Sequence, residues 1–287
     1  MAVSRSITIS GDLGSGKSTV AVELSRRLGL RRISVGVIHG ELARSRGMSA
    51  LQLNRHSERD ADIDAYLDRM QRDLARAGDP LVVDSRLGWY FFTDAFKVHL
   101  KADPAVAARR AMERQAGRAE SYRTLDEARQ RLDERSESER ARFLTTYGVD
   151  KARLRNYSLV CDTSHASPDE IVDAIMTTYD RDVHRLDRPV LFLDPARVLL
   201  PSKDGTEERA SWPLPAGTDR HGSANDAVDG VAVGYAHATF FALAHDDQVR
   251  VALDRGEHLI RARLVAEGDE RLPTGATAEA YAAALPG

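Results

Sequence analysis

Between Ser6 and Tyr179, short β-prone runs alternate with stretches of helical period. Ser6-Ile7-Thr8-Ile9-Ser10 predicts a strand. A glycine-rich turn follows, and then Val20, Ala21, Leu24 and Leu28 recur at helical spacing, with Gly29 as the stop. Ile33–Val35 predicts the next short strand, and Ala50–Ala77 is polar but helical in period. Leu81-Val82-Val83 is a short apolar run ending at Asp84, and Phe96-Lys97-Val98-His99-Leu100 is another. Asp103 reads as an N-cap with Pro104 in the first helical position. Leu159-Val160-Cys161 closes the series of strands, and Ser167-Pro168-Asp169-Glu170 caps a helix to about Tyr179. Strand and helix in alternation predict a parallel sheet with helices on both faces.

The pattern then changes. Pro201–Gly230 is rich in Pro, Gly, Ser and acidic residues and reads as a long connection. Beyond it, Val231–Val233, Thr239–Leu243 and His258–Val265 predict strands, and Asp246–Arg255 a helix stopped by Gly256; Pro189–Pro195 reads as a strand and turn. The expected division is therefore an α/β domain at 1–184 and a small α+β domain at 185–287.

Composition narrows the class. With 42% hydrophobic and 30% charged residues over 287 positions, the chain is an ordinary soluble globular protein. No apolar run is long enough to span a membrane. One cysteine, Cys161, excludes an intrachain disulfide framework; with no apolar leader at the start, a cytoplasmic location is expected. Net charge is −3. From Arg188 onward there are 10 Lys/Arg against 15 Asp/Glu, whereas the preceding residues carry 31 against 29. Nucleic-acid binding is disfavoured, because its phosphate contacts need clustered Lys/Arg.

The strongest chemical signal is Gly11-Asp12-Leu13-Gly14-Ser15-Gly16-Lys17-Ser18, a complete G-x-x-x-x-G-K-[ST] between a predicted strand and a predicted helix. Glycines at 11, 14 and 16 let the backbone approach a polyphosphate. The helix N-terminus, with Ser15 and Thr19 beside it, adds partial positive charge. Lys17 reaches the β- and γ-phosphates, and the Ser18 hydroxyl is a ligand for Mg²⁺. The fold expected from this motif is a P-loop NTPase three-layer sandwich binding ATP and Mg²⁺.

Asp84 at the end of its strand is a second candidate for Mg²⁺, the other reading being a strand-end cap. Arg86 follows near the carboxyl ends of the strands, where open α/β sheets bind ligands. Arg109, Arg110 and Arg114 share one helix, and Arg135, Arg140 and Arg142 the next. These form either a lid over phosphates or a solvated i,i+4 charge network.

The stretches ITISGDLGSGKSTVAVELSRRLGL, ISVGVIHGELARSRGMS, LNRHSERDADIDAYLDRMQ, VVDSRLGWYF, AFKVHLKADPAVAARR, SESERARFLTTYGVD and NYSLVCDTSHASPDEIVDAI together resemble the cytidylate kinases. The likeness is to the compact type of archaea and actinobacterial relatives, over residues 1 to about 180. It implies transfer of the ATP γ-phosphoryl group to CMP or dCMP. Lys17 and Ser18 match the donor site. Asp84 and Arg86 match an acid–x–arginine element at the monophosphate site, and Ser34 and Gly36 match the S-x-G opening the acceptor helix. Arg109 or Arg110, with Arg140 and Arg142, match lid and acceptor arginines less closely. Catalytic roles then fall to Lys17, Arg86 and Arg140, and acceptor contacts to Ser34, Gly36, Arg44, Asp84, Arg86 and Arg142.

One departure stands out. Where the resemblance implies an arginine gripping the acceptor phosphate, this chain has Gly40, with Arg44 one turn later and His39 adjacent as candidate replacements. Glu58, Asp60, Asp62, Asp64 and Asp68 lie in a region that borders the acceptor nucleoside in the family, or else form a solvated acidic face. Phe240–Val265 is similar in pattern to the ParB/sulfiredoxin-like domain, but Ala244-His245-Asp246-Asp247-Gln248 lacks that family's glycine, histidine and arginine core. A structural, regulatory or protein-partner role is expected there. Two alternatives to a CMP kinase stay open: a nucleotide-sensing module, and a kinase of another small metabolite.

Overall fold

The computed structural model describes residues 5–48, 61–115, 122–180, 188–200 and 230–285. The chain separates into two compact units, Met1–Leu186 and Asp187–Gly287. The connection expected at Pro201–Gly230 lies outside the described residues up to position 229, as do Glu58, Asp60 and the first part of the helix expected from Ala50.

The first unit contains strands β1 (Ile7–Gly11), β2 (Arg31–Ser34), β3 (Leu81–Asp84), β4 (Phe96–Lys101) and β5 (Leu159–Asp162). They pair in the order β2-β3-β1-β4-β5, all parallel. The helices are α1 (Lys17–Leu28), α2 (Val35–Ser45), α3 (Ala61–Ala77), α4 (Gly88–Phe91), α5 (Pro104–Gln115), α6 (Leu125–Tyr147) and α7 (Pro168–Tyr179). β1 is the central strand, and Ile7, Thr8, Ile9 and Ser10 are all buried. Parallel strands are covered on both faces, so the polar Thr8 and Ser10 are buried as fully as Ile7 and Ile9.

Local chemistry accounts for the helix ends. Gly29 closes α1 in the left-handed conformation, its amide bonded to the Ser25 carbonyl. Asp103 Oδ1 accepts the amides of Ala105 (2.8 Å) and Val106 (3.2 Å) at the start of α5. Ser167 and Glu170 form a complete capping box on α7. α2 and α3 share an apolar patch, in which Ala43, Ile63 and Leu67 are buried and Val35, Ile38, Leu42 and Met70 pack against them. At roughly 2 kcal/mol for each large buried side chain, this patch sets the mutual placement of the two helices. The short α4 was not foreseen in the sequence pattern. It buries Trp89 and Phe91 in a segment too short to show a period.

The second unit contains β6 (Val190–Leu193), β7 (Val198–Leu199), β8 (Val231–Ala236), β9 (Thr239–Ala244) and β10 (Ile260–Glu267), with α8 (Asp246–Arg255) and α9 (Ala278–Ala283). Their order is β6-β10-β8-β9-β7, in a mixed sheet. Gly234 is required by packing, because a Cβ there would lie 2.2 Å from the Phe241 ring. His245 takes a left-handed φ of 61° at the turn from β9 into α8. β7 and α9 escaped the sequence reading, being two and six residues long.

Candidate active site

The functional groups gather at the carboxyl ends of β1, β2 and β3. The loop after β1 wraps the N-terminus of α1. Gly11 has φ 152°, and a Cβ there would meet the Leu100 carbonyl oxygen at 2.3 Å; Gly14 has φ 84°, and a Cβ there would meet the Ala107 carbonyl at 2.6 Å. Both positions therefore exclude a side chain. Gly16, also left-handed, precedes α1, and no side chain caps that end. Its first amides are left available for an anion.

The rest of the loop is fixed from below. The Asp12 amide donates to the Leu100 carbonyl at 2.8 Å, and Lys101 Nζ lies 3.6 Å from Asp12 Oδ2. Ser15 is buried, its hydroxyl bonded to the Asp12 carbonyl and its own carbonyl to Thr163 Oγ1. Thr19 is exposed at the loop's outer edge.

Lys17 Nζ donates to the carbonyls of Gly11 and Asp12, each at 2.8 Å. Burial lowers its pKa to about 8; Asp84 and Asp12 pull it up, and Arg86 adds to the lowering. ATP would raise that pKa by placing phosphate charge beside the ammonium. Binding above pH 8 must then take up a proton, so affinity falls as pH rises. We expect ATP affinity measured by titration calorimetry to be flat to about pH 7.5 and then to weaken by up to about tenfold per pH unit. A flat profile to pH 9.5 would show that the Lys17 charge does not contribute to binding.

Asp84 Oδ2 accepts hydrogen bonds from Ser18 Oγ at 2.9 Å and Ser34 Oγ at 3.2 Å. The pair of a hydroxyl and a buried carboxylate beside the phosphate loop is a hard-oxygen donor set that suits Mg²⁺. When Mg²⁺ is bound, Ser18 and Asp84 would hold it, and it would neutralise charge on the nucleotide phosphates.

One cavity of about 500 Å³ runs from the loop to α2, α3 and α6. Of the residues singled out in the sequence, it brings together Gly14, Lys17, Ser18, Ser34, Gly36, Asp84, Arg86 and Arg142. His39, Asp64, Asp68, Arg114 and Arg135 also line it. Asp64 accepts from Arg142 at 3.3 Å, and Asp68 from the Tyr147 hydroxyl at 2.9 Å. Burial raises the Asp68 pKa and lowers that of His39, so His39 tends toward its neutral form.

Several expected residues are placed elsewhere. Arg44 is exposed outside the cavity lining, with Nε 3.4 Å from the Gly40 carbonyl, so the suggested substitute for the missing arginine is not at the pocket. Arg140 makes a two-pronged ion pair with Asp150 (2.9 and 2.7 Å), tying down the turn after α6, and is also absent from the cavity lining. Arg110 is held by the carbonyls of Thr163 and Ser164.

The sequence reading passed over Gln71, Ser85, Tyr147 and Glu139. Ser85 Oγ donates to Gln71 Oε1 at 2.6 Å, which ties α3 to the turn carrying Arg86. Their signal was available only on α6, where Leu132, Arg135, Glu139, Arg142, Phe143 and Tyr147 fall on one face.

Comparison with known proteins agrees with this geometry. The cytidylate kinase-like family model matches residues 6–165. A cytidylate kinase of Natronomonas pharaonis is 38% identical over 64% of this chain and 95% of its own length. Those of Thermoplasma volcanium (36%; 61% and 90%) and Methanobrevibacter smithii (33%; 60% and 96%) are similar. These matches give no support to the ParB/sulfiredoxin-like likeness drawn for the second unit. Over its first unit this chain belongs to the cytidylate kinase-like family, whose kinases use ATP with Mg²⁺.

Proposed function

We propose that this enzyme transfers the γ-phosphoryl group of ATP to a pyrimidine nucleoside monophosphate, CMP or dCMP. The observation that carries the reading is one continuous cavity. It joins Lys17 and Ser18 of the phosphate loop to a compartment holding Arg86, Arg135 and Arg142 together with Asp64 and Asp68. Lys17 and the α1 amides bind and orient the donor phosphates. Arg86 and its neighbours neutralise charge on the acceptor phosphate, whose oxygen forms a bond to the γ-phosphorus as the bond to the ADP oxygen breaks. Such a transfer needs little covalent help from the protein, because positioning and electrostatic stabilisation carry most of the rate. Among the described residues no helix is long and apolar enough to cross a membrane; a cytoplasmic location is part of the same proposal. For the second unit we propose a regulatory or protein-partner role.

Gly40 favours a second reading, in which the acceptor is another small metabolite. A coupled ADP-release assay with CMP, dCMP, UMP, AMP, GMP and no acceptor tests both. Strong stimulation by CMP or dCMP is expected; none by any of them would point to a nucleotide sensor or a different acceptor. Gly40→Arg refines the result, because a Cβ at 40 meets nothing within 4 Å. A change within about threefold in kcat/KM for CMP is expected if Arg86, Arg135 and Arg142 already hold the acceptor. A gain of about tenfold or more would identify an acceptor other than CMP.

A further inference from the structure

Arg86, Arg135 and Arg142 share the acceptor compartment with Lys17 close by. Cations crowded into a partly desolvated cavity repel one another, and long side chains would relieve the repulsion by swinging out to water. Asp64 pairs with Arg142, and a buried carboxylate bridges the other two arginines. Glu139 is 7% exposed and sits in the middle of α6. Its Oε1 is 2.9 Å from Arg86 Nη1 and 3.2 Å from Arg135 Nε. Its Oε2 is 3.3 Å from Lys151 Nζ. Lys151 also donates to Ser136 Oγ at 3.4 Å and follows the turn that Arg140 fastens through Asp150. Both carboxylate oxygens are therefore engaged, and the carboxylate itself is anchored from behind.

We propose that Glu139 is a positioning residue that bridges Arg86 and Arg135 and keeps both guanidinium groups aimed into the acceptor-phosphate compartment. The bridge spans two elements, since Arg86 comes from the turn after β3 and Arg135 from α6. A third observation agrees: burial alone would raise the Glu139 pKa, but Arg86, Lys151 and Arg135 outweigh it, so Glu139 is ionised at neutral pH. Donors not used by Glu139 stay available on each guanidinium, which carries five N–H groups.

The inference rests on the phosphoryl-transfer reading above, and its test separates the two. Glu139→Gln keeps the shape and removes the charge. A carboxylate that only diluted positive charge would predict tighter anion binding in this variant; a positioning carboxylate predicts weaker binding. The first measurement is thermal stabilisation by inorganic phosphate with ADP–Mg²⁺ saturating the loop, which needs no knowledge of the acceptor. Apparent phosphate affinity is expected to weaken by about fivefold or more; unchanged or tighter binding overturns the proposal. The second is steady-state kinetics with the acceptor that the wild-type enzyme uses. A loss of about 10- to 100-fold in kcat/KM for acceptor is expected, with KM for ATP within about twofold. In Glu139→Gln/Arg86→Met the loss should be smaller than the product of the two single losses, because only Arg135 is then left for Glu139 to position, and losses that multiply in full would overturn the proposal. A wild-type protein that phosphorylates no acceptor refutes the kinase reading, while the phosphate measurement still decides the role of Glu139.

Discussion

Replacing Lys17 with alanine is expected to remove at least about 10³-fold from kcat/KM, some 4 kcal/mol of transition-state stabilisation, without lowering Tm. The two halves of this expectation have separate causes. In the folded protein Lys17 Nζ contacts only two backbone carbonyls among the hydrogen bonds described, those of Gly11 and Asp12. Water can replace it at both, because the loop lines an open cavity. Its charge sits at the N-terminus of α1, the wrong end for a cation. Burial pushes its pKa from 10.5 down to about 8, so the native state disfavours the charged form relative to the unfolded chain. Below pH 8 that preference costs stability, and stability is regained as pH rises from 8 toward 10.5, where the unfolded chain binds the extra proton. Removing the lysine therefore removes a destabilising charge, and Tm at pH 7 should be equal or higher. The protein tolerates the strain because a phosphate-bearing ligand needs that charge in place. Retention of more than a tenth of wild-type turnover, or a fall in Tm of several degrees, would contradict the argument.

The same contrast shows what the bare sequence could reveal. The phosphate loop is legible because its chemistry is local: eight consecutive residues provide the turn, the lysine and the hydroxyl. Asp84 and Arg86 are legible because a short apolar run places them at a strand end. The capping residues Asp103 and Ser167 act within three positions of themselves, and both were readable. Glu139 was not. In Glu134–Arg142 every charged residue has an oppositely charged neighbour three or four positions away, so the run reads as a solvated face. Only packing against the turn after β3 tells that Glu139 is buried while Glu137 is exposed. Arg140 failed for the complementary reason. Its partner Asp150 lies across the left-handed turn at Gly148, beyond any helical spacing. The arginine thus resembles the cavity-lining Arg135 and Arg142 in sequence but serves the turn. Arg44 shows a further limit: it sits one turn beyond Gly40, yet its helix leaves it exposed outside the cavity lining.

The second large effect concerns Arg86. Arg86→Met is expected to lower kcat by about 10²- to 10³-fold with KM for ATP within about threefold, because the donor site at Lys17 and Ser18 is untouched. Arginine is suited to this position by its planar fork, which can grip a phosphate with two parallel bonds while another donor holds Glu139. Arg86→Lys should recover less than about a tenth of the lost activity, since a point charge cannot serve both partners. Stability is the control. Removing one partner of a lone buried ion pair costs about 3–5 kcal/mol. Glu139 would keep Arg135 at 3.2 Å and Lys151 at 3.3 Å, so it would not be left unpaired. The cost should accordingly be nearer 1–2 kcal/mol, a modest fall in Tm that leaves the fold intact for kinetics. The decisive comparison is kcat against the acceptor KM. A variant that keeps kcat and only raises the acceptor KM would mean that Arg86 binds the ground state alone. A fall in kcat at saturating acceptor would place its guanidinium beside the phosphoryl group as charge develops in transfer, as its position in the cavity with Lys17 and Asp84 leads us to expect.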